Sequence, residues 1–556
     1  MTMKHADSMK AEKIFHCAKI LTIDEAQPQA EAVAVLGDRI VFVGTKEGAR
    51  EWEDERTEWV DLGDAVLLPG FIEAHGHPYW SSQVWGDPVV DIRAVHTPTY
   101  AAALAKIRRR VEKAKRGEVL WFVGLDAQLH EGIVEPTRDL LDALSDQFPI
   151  IVQTSNLHAA YINSAAARHF SIDEHYQAPK GGKALLDAEG RVWKLLEMAV
   201  WELGERFYDM LGKTRNLTSF DDWLNKYARA GYTTSSEILL APGSARAMAR
   251  DMAALPARVR VMGYEAVAAG GEVSVPHRFS SGLFSMAGVK FHADGSVLLG
   301  NVWTSTPYLN NETTLSGMGL PRDNKGHALY DFETLHPKVE RYASQGWQVS
   351  IHAHGDRTID LVLDVYERVL GSLPSTNGPF RIEHCGLMRK DQIDRAVKLG
   401  VVCSFFLPYI YHWGEALRDA LLGADVAEHF VPSGSATRAG MRVSYHCDSP
   451  MTWPDALKCL QVATTRCTLK GALIGAEERV SIDDALRAIT IDAAYQLQAE
   501  ADLGSISVGK LADFVALGAD PRTWQVNNLI NLPILGTYLG GQKVEIDHPN
   551  SDFVNP

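Results

Sequence analysis

Apolar runs that end in an imidazole or a carboxylate, and recur at the pitch of one strand plus one helix, constrain this chain more than any other feature. Ser350-Ile351-His352-Ala353-His354-Gly355-Asp356 closes one such run, Arg381-Ile382-Glu383-His384-Cys385-Gly386 the next, and Val443-Ser444-Tyr445-His446-Cys447-Asp448 a third. From His352 to His384 is 32 residues, one βα unit, and from His384 to Asp448 is 64, two units. In a parallel barrel the side chains at the carboxyl ends of successive strands point into one mouth, so groups this far apart in sequence meet there. Strand candidates at 148–153, 287–291, 348–352, 380–383, 401–405 and 442–445 alternate with helical patterns, which argues for βα units around a parallel sheet. Leu104, Ile107, Val111 and Ala114 share one helix face, and Ser481-x-x-Asp484 opens another helix with a capping pattern.

Leu68-Pro69-Gly70-Phe71-Ile72-Glu73-Ala74-His75-Gly76-His77-Pro78 adds two histidines two positions apart. On a strand such residues project from one face about 7 Å apart, and two imidazoles can chelate one ion at about 2.0 Å each. H-x-H alone reads equally well as two hydrogen-bonded surface histidines; four histidines at matching strand ends weigh against that. Lys290, in Ala287-Gly288-Val289-Lys290-Phe291-His292-Ala293-Asp294-Gly295, ends another run. In a metal-lined interior, desolvation and cation repulsion would strip its proton and leave an amine able to take up carbon dioxide as a metal-bridging carbamate. Standing alone, the segment reads more simply as a lysine paired with Asp294 or another carboxylate.

The two ends have a different texture. Runs at 32–36 and 39–43 flank Gly37-Asp38, a hairpin dipeptide, and the far end repeats the pattern at 512–517 and 538–544. Isolated hairpins are marginal, so the two ends are expected to pair into one small sheet domain. The stretch from about 79 to 190, rich in loops and aromatics, reads as an insertion covering a site. The expected spans are therefore 1–66 and 496–556 for the two parts of the end domain and 67–495 for the barrel with its insertion.

Lys and Arg number 55 against 70 Asp and Glu, a net charge of −15 that repels phosphate backbones and anionic membranes, so nucleic acid is not an expected partner. The basic run Arg108-Arg109-Arg110 with Lys113, Lys115 and Arg116 is read as the solvated face of a helix. Six scattered cysteines form no C-x-x-C pair, and neither a leader's apolar core nor a membrane-length apolar run is visible, so the expectation is a cytoplasmic protein with reduced thiols. Gly504-Ser505-Ile506-Ser507-Val508-Gly509-Lys510 imitates a phosphate loop, but Leu511 replaces the required hydroxyl residue. Neither H-E-x-x-H nor G-x-S-x-G occurs, which removes the zincin and serine-hydrolase signatures.

Together LPGFIEAHGH, GVKFHADGS, SIHAHGDR, RIEHCG, HCDSP, the tail from Leu503 to Asp513 and the segment Asn156-Leu157-His158-Ala159-Ala160-Tyr161-Ile162-Asn163-Ser164 resemble the amidohydrolase superfamily, in particular its YtcJ-like branch, over nearly the whole chain. The resemblance implies an α/β fold: a (β/α)8 barrel, a small β-sandwich from both chain ends and an insertion after the first barrel strand. It implies His75 and His77 as ligands of a first metal, Lys290 as an N6-carboxylated bridge, His352 and His384 as ligands of a second, Asp448 as catalytic carboxylate and metal ligand, and a homodimer. The ions are divalent, one or two per chain; imidazole with carboxylate suits zinc and tolerates manganese, iron or cobalt. This chain departs from the branch in having His354 beside His352, His446-Cys447 where Gly-Ser is commoner, and Trp193-Lys194 where a Thr-Gly pair precedes Glu197. The choice between His352 and His354 stays open, and Glu197 receives no role.

Such an ion lowers the pKa of its water to about 7 and polarises a carbonyl. The expected reaction is hydrolysis of a C–N bond by metal-activated hydroxide, with Asp448 as general base and then acid, and with His158 stabilising the oxyanion. Phe405, Phe406, Tyr409, Tyr411, His412 and Trp413, with Tyr79-Trp80 after the first ligand pair, favour a small substrate carrying an apolar or aromatic group, an N-aryl or N-alkyl amide or formamide. Each of these aromatics reads as well as packing between barrel and insertion. The alternatives are a cyclic-amide hydrolase or hydrolytic deaminase on the same metals, and a noncatalytic binding protein on the same scaffold.

Overall fold

The computed structural model describes residues 10–84, 88–94, 97–210, 217–267, 273, 279–373 and 378–546. Residues 1–9, the start of the first expected span, and 547–556, the end of the last, lie outside them. Among the described residues no helix is long and apolar enough to cross a membrane.

The chain opens with strands β1 (Lys13–Leu21), β2 (Gln29–Leu36), β3 (Arg39–Gly44), β4 (Glu58–Asp61) and β5 (Val66–Pro69). β1 pairs antiparallel with β2 and parallel with β4 and β5, and β2 turns at Gly37-Asp38 into β3. One residue after β5, the strand β6 (Phe71–Glu73) enters a different sheet. Gly70 makes that step possible, because a Cβ there would lie 2.1 Å from the Thr233 hydroxyl oxygen.

A separate six-stranded sheet follows: β7 (Val90–Asp91), β8 (Leu120–Leu125), β9 (Ile150–Thr154), β10 (Ala159–Ile162), β11 (Gly182–Leu186) and β12 (Val192–Glu197), in the order β11-β12-β10-β9-β8-β7. The strand expected at 148–153 belongs here and not to the barrel. Helix Tyr100–Glu112 packs Tyr100, Ala103 and Ile107 onto this sheet through a core that includes Phe122 and Val152.

Eight parallel strands make a nearly closed barrel: β6, β13 (Tyr232–Leu240), β14 (Arg260–Ala266), β16 (Phe284–His292), β17 (Gln348–Ala353), β18 (Arg381–His384), β19 (Val402–Phe406) and β20 (Ser444–His446), with the short β15 (Ser280–Ser281) antiparallel on β16. β17, β18, β19 and β20 are buried along their whole length, as parallel strands covered on both faces must be. Helices Phe332–Ser344, Asp356–Ser372 and Lys390–Leu399 cross between β16 and β19; the second buries Ile359, Val362, Leu363, Tyr366 and Val369, and the first starts at Asp331 with a capping box. Between β20 and β6 the closure runs through a side chain, the Glu73 carboxylate accepting the Cys447 N–H at 2.6 Å.

The last strands, β21 (Phe514–Leu517), β22 (Ile534–Leu539) and β23 (Gln542–Lys543), return to the first sheet, where β21 lies antiparallel to β5 with Phe514 opposite Pro69. Phe15 of β1 meets Phe514 and Tyr538 edge-on at 5.4 and 5.3 Å, and Lys19 pairs with Asp520 at 2.9 Å. Residues from both ends of the chain thus share one apolar core.

Candidate metal centre

At the carboxyl ends of the barrel strands, His75 and His77 follow β6, Lys290 and His292 end β16, His352 and His354 end β17, His384 ends β18, and His446 and Asp448 end β20. Period-two alternation places the pairs 290/292, 352/354 and 446/448 on the inward face of their strands. Two overlapping groups result: His75, His384, His446 and Asp448 present ligand atoms within 4.8 Å of one another, and so do His352, His354 and His384.

The first group is braced by carboxylates. His75 Nδ1 lies 2.7 Å from Glu383, which also binds Arg381 at 2.9 Å and accepts the Ser350 hydroxyl at 2.7 Å. This bond places the His75 proton on Nδ1 and leaves Nε2, 3.3 Å from Asp448 Oδ1, as the free donor atom. His77 Nε2 is 3.1 Å from the same Asp448 oxygen, and its Nδ1 faces Glu237 at 3.5 Å. Glu237 is itself fixed by the backbone N–H groups of Tyr79 and Trp80 at 2.8 and 3.0 Å. Gly76, between the two histidines, has no room for a side chain: a Cβ would lie 2.6 Å from the Tyr227 hydroxyl.

A carbonyl and a hydroxyl brace the second, with Asp294 3.5 Å from His352 Nε2. His352 Nε2 donates to the Gly295 carbonyl at 2.7 Å, which leaves Nδ1 bare, whereas His354 has the Tyr409 hydroxyl 3.5 Å from Nε2 and no hydrogen-bond partner for its buried Nδ1. His384 stands between the groups, its ring 4.6 Å from that of His75 and 4.5 Å from that of His352. His384 and Asp448 have φ of 72° and 53°, a left-handed backbone uncommon outside glycine and concentrated at functional sites. At β18 this turn has a visible effect: adjacent residues Glu383 and His384 both face inward, against simple alternation.

Lys290 is buried and has no carboxylate within ion-pair distance among the described residues, so the pairing with Asp294 is not found. Burial first, with Arg381 adding to it, pushes its ammonium down to about 8 against the pull of Glu383 and Asp448. Asp294 instead accepts the backbone N–H groups of His354 and Gly355.

His158 approaches from the six-stranded sheet, its Nδ1 2.7 Å from Glu197, which also accepts from Asn301. Trp80, Trp201 and Tyr409 join these groups around a cavity of about 60 Å³. Of the expected aromatics, Trp80 and Tyr409 line this cavity, while Trp413 donates to Asp126 at 3.0 Å and so ties the segment after β19 to the one after β8. Glu237, Trp201 and Ser404 form part of the surroundings without a signal in the sequence, whereas Glu383 stands inside a quoted motif and Glu197 is named there without a role.

Burial, reinforced by neighbouring imidazoles, holds His292, His352 and His384 well below the usual histidine range, and burial with His75 does the same to His446. Neutral imidazole is the metal-binding form. Burial opposes ionisation of Asp448, yet His75 and His77 keep its carboxyl well below the usual range. A cluster of neutral imidazoles around one carboxylate, with the buried Nδ1 of His354 lacking any partner, is a donor set that fits a divalent cation of the zinc type.

The sequence matches the amidohydrolase family over residues 58–544. It is 27% identical to the N-substituted formamide deformylase of Arthrobacter pascens over 543 residues, 94% of this chain and 96% of that one. It is 24% identical to the putative amidohydrolase YtcJ of Bacillus subtilis, covering 96% of this chain and 99% of that one. The crystal structure of an uncharacterized metal-dependent hydrolase from Pyrococcus horikoshii superposes with a TM-score of 0.71 at 20% identity, over 92% of this chain and 99% of that one.

Proposed function

Because the chain belongs to the amidohydrolase family and is a hydrolase of carbon–nitrogen bonds, we propose that it cleaves an N-substituted amide, with a formamide as the preferred member of that class, at a divalent-metal centre. The observation that carries this reading is the convergence of His75, His77, His352, His354, His384 and Asp448 on one small cavity. His75 and His77 would hold one cation with Asp448, and His352 and His384 a second, with Lys290, whose ammonium is lowered by burial to about 8, carboxylated between them. His352 is favoured over His354 because its carbonyl partner fixes the tautomer that leaves Nδ1 bare. Divalent ions there supply an activated water and polarise the scissile carbonyl.

The chain's own groups then move the proton. Asp448, ionised by its histidine neighbours, accepts it from the attacking water through Oδ1 or Oδ2 and returns it to the departing nitrogen. His158 is buried, which works against its charge, but the Glu197 carboxylate raises its pKa and holds Nδ1; protonated, it has Nε2–H free to donate to the developing oxyanion. A cavity of about 60 Å³ is far smaller than the several hundred Å³ of a site that encloses a whole ligand. It suits a formyl or similarly small acyl end, with the N-substituent against Trp80, Trp201 and Met451 at its rim. The Arthrobacter relative carries the name of a deformylase of N-substituted formamides, which supports the same class.

The test is metal analysis of the purified protein together with a screen of N-formyl amines, acyl anilides, lactams and amino-heterocycles. Formamides with an aryl or alkyl substituent are expected to yield amine and formate; ammonia release from amino-heterocycles alone would overturn the assignment in favour of a deaminase. For Lys290 the expected result is an added carboxyl group in the native mass and loss of metal in Lys290→Ala; an unmodified lysine in metal-loaded, active protein rejects the bridge.

A further inference from the structure

His446 stands two residues before Asp448, points into the barrel, and is absent from the ligand set that the family resemblance carries onto this chain. Its ring is fully buried between two parallel neighbours, His75 at 4.5 Å and Phe406 at 5.5 Å, both within 17° of coplanar. Its two nitrogens have very different surroundings. Nδ1 meets the Ser404 hydroxyl at 2.8 Å, and Nε2 points at His384 Nδ1, 3.2 Å away.

The hydrogen bonds behind Ser404 bear on which nitrogen holds the proton. Gln496 donates its amide nitrogen to the carbonyls of Cys403 and Arg442, at 2.9 and 2.8 Å, which turns its Oε1 toward the Ser444 hydroxyl at 2.8 Å. Ser444 has one hydroxyl proton and two acceptors, Gln496 Oε1 and Ser404 Oγ at 2.9 Å. Satisfying the buried Gln496 oxygen consumes that proton, so the Ser404–Ser444 bond is made by the Ser404 proton, and Ser404 Oγ accepts from His446 Nδ1–H. A neutral imidazole protonated on Nδ1 carries its lone pair on Nε2, the atom that faces the cluster.

The spacing is that of ligands sharing an ion. Two donors on a tetrahedral ion with bonds of about 2.0–2.1 Å are about 3.3 Å apart. His446 Nε2 to His384 Nδ1 is 3.2 Å, His75 Nε2 to Asp448 Oδ1 is 3.3 Å, and the four residues fall within one 4.8 Å group. A ligating histidine also characteristically gives its second ring N–H to a fixed acceptor, as His75 does to Glu383 and His446 to Ser404.

We propose that His446 is a metal ligand through Nε2, a further donor beside His75, His384 and Asp448, and that Ser404, Ser444 and Gln496 are positioning residues that set its tautomer. This rests on the metal-hydrolase reading above. Zinc-edge X-ray absorption of the zinc-loaded full chain counts imidazoles at the metal independently of turnover, and competition with a chelator gives the zinc Kd. His446→Gln is expected to lose about one imidazole per chain and to weaken zinc at least about tenfold; an unchanged count and Kd would overturn the assignment while leaving the hydrolase reading intact. Should His446→Gln not fold, Ser404→Ala carries the test, with a roughly 10–100-fold weaker zinc Kd expected and an unchanged Kd rejecting the proposal. Wild-type protein that takes up no zinc or other divalent ion overturns the metal-hydrolase reading itself.

Discussion

The His75 side and the His352 side of the centre share His384 but differ in what stands behind the ligands. Behind His75 and His77 are the ionised Glu383 and the buried Glu237, with Asp448 in front; behind His352 and His354 are a carbonyl, a tyrosine hydroxyl and Asp294, which lies 3.5 Å from His352 Nε2 and is raised by burial to about 7. A carboxylate behind an imidazole raises its basicity and offsets the charge of a bound cation, whereas a carbonyl fixes orientation only. The centre is therefore expected to hold its two ions unequally, with the carboxylate-braced side the tighter and the other dependent on a negative bridge from Lys290.

Asp448→Asn should have the largest effect on turnover. Loss of a positioned acid–base group typically costs about 10²–10⁴-fold in kcat, while the amide oxygen keeps a donor, so metal content by mass spectrometry stays near wild type; an active Asn variant rejects the role. Glu383→Gln should weaken the ion on the His75 side by roughly 10–100-fold. It also leaves Arg381 buried against an uncharged neighbour, so the folded state should lose about 3–5 kcal/mol; denaturant titration and zinc competition read the two effects separately. Chelator treatment of wild-type protein should release metal in two phases, and Tyr409→Phe should leave both unchanged; a single phase removes the inequality between the two sides.

The smallest effect is expected from a carboxylate outside the centre. Asp520, against burial, is drawn down to about 2 by Arg522 and Lys19. A depressed carboxyl stabilises the fold above its unfolded pKa near 4, and that contribution is lost as the pH falls through about 2. Because the pair is partly exposed, Asp520→Asn should cost at most about 1 kcal/mol at pH 7 and nothing near pH 1–2, measured as a difference in Tm from wild type. An equal or larger cost there than at pH 7 would contradict the sign.

Sequence reading reached the histidines and the aspartate that converge at the strand ends because they close apolar runs at a regular βα pitch. It missed their supports for separate reasons. Glu383 has the wrong parity beside His384, and the positive φ that turns both inward is not written in the residue types. Glu237 sits in Thr233-Thr234-Ser235-Ser236-Glu237, a polar run that does not resemble a buried strand although each of these residues is buried. The run at 148–153 was legible as a strand but not as part of a second sheet, since a short buried apolar run looks the same in either. The cation-binding geometry of His446 depends on Ser404, Ser444 and Gln496, three residues whose spacing carries no pattern.

The pairing of β5 with β21 has a consequence for biogenesis. Leu68 lies opposite Val515, about 450 residues later, and a ribosome adding roughly 5–20 residues per second needs about 20–90 s to make the partner. Through that interval the early strands emerge with one edge open and a face of aliphatic side chains uncovered. Truncation after residue 505 should therefore yield insoluble product even though every candidate ligand of the centre is retained.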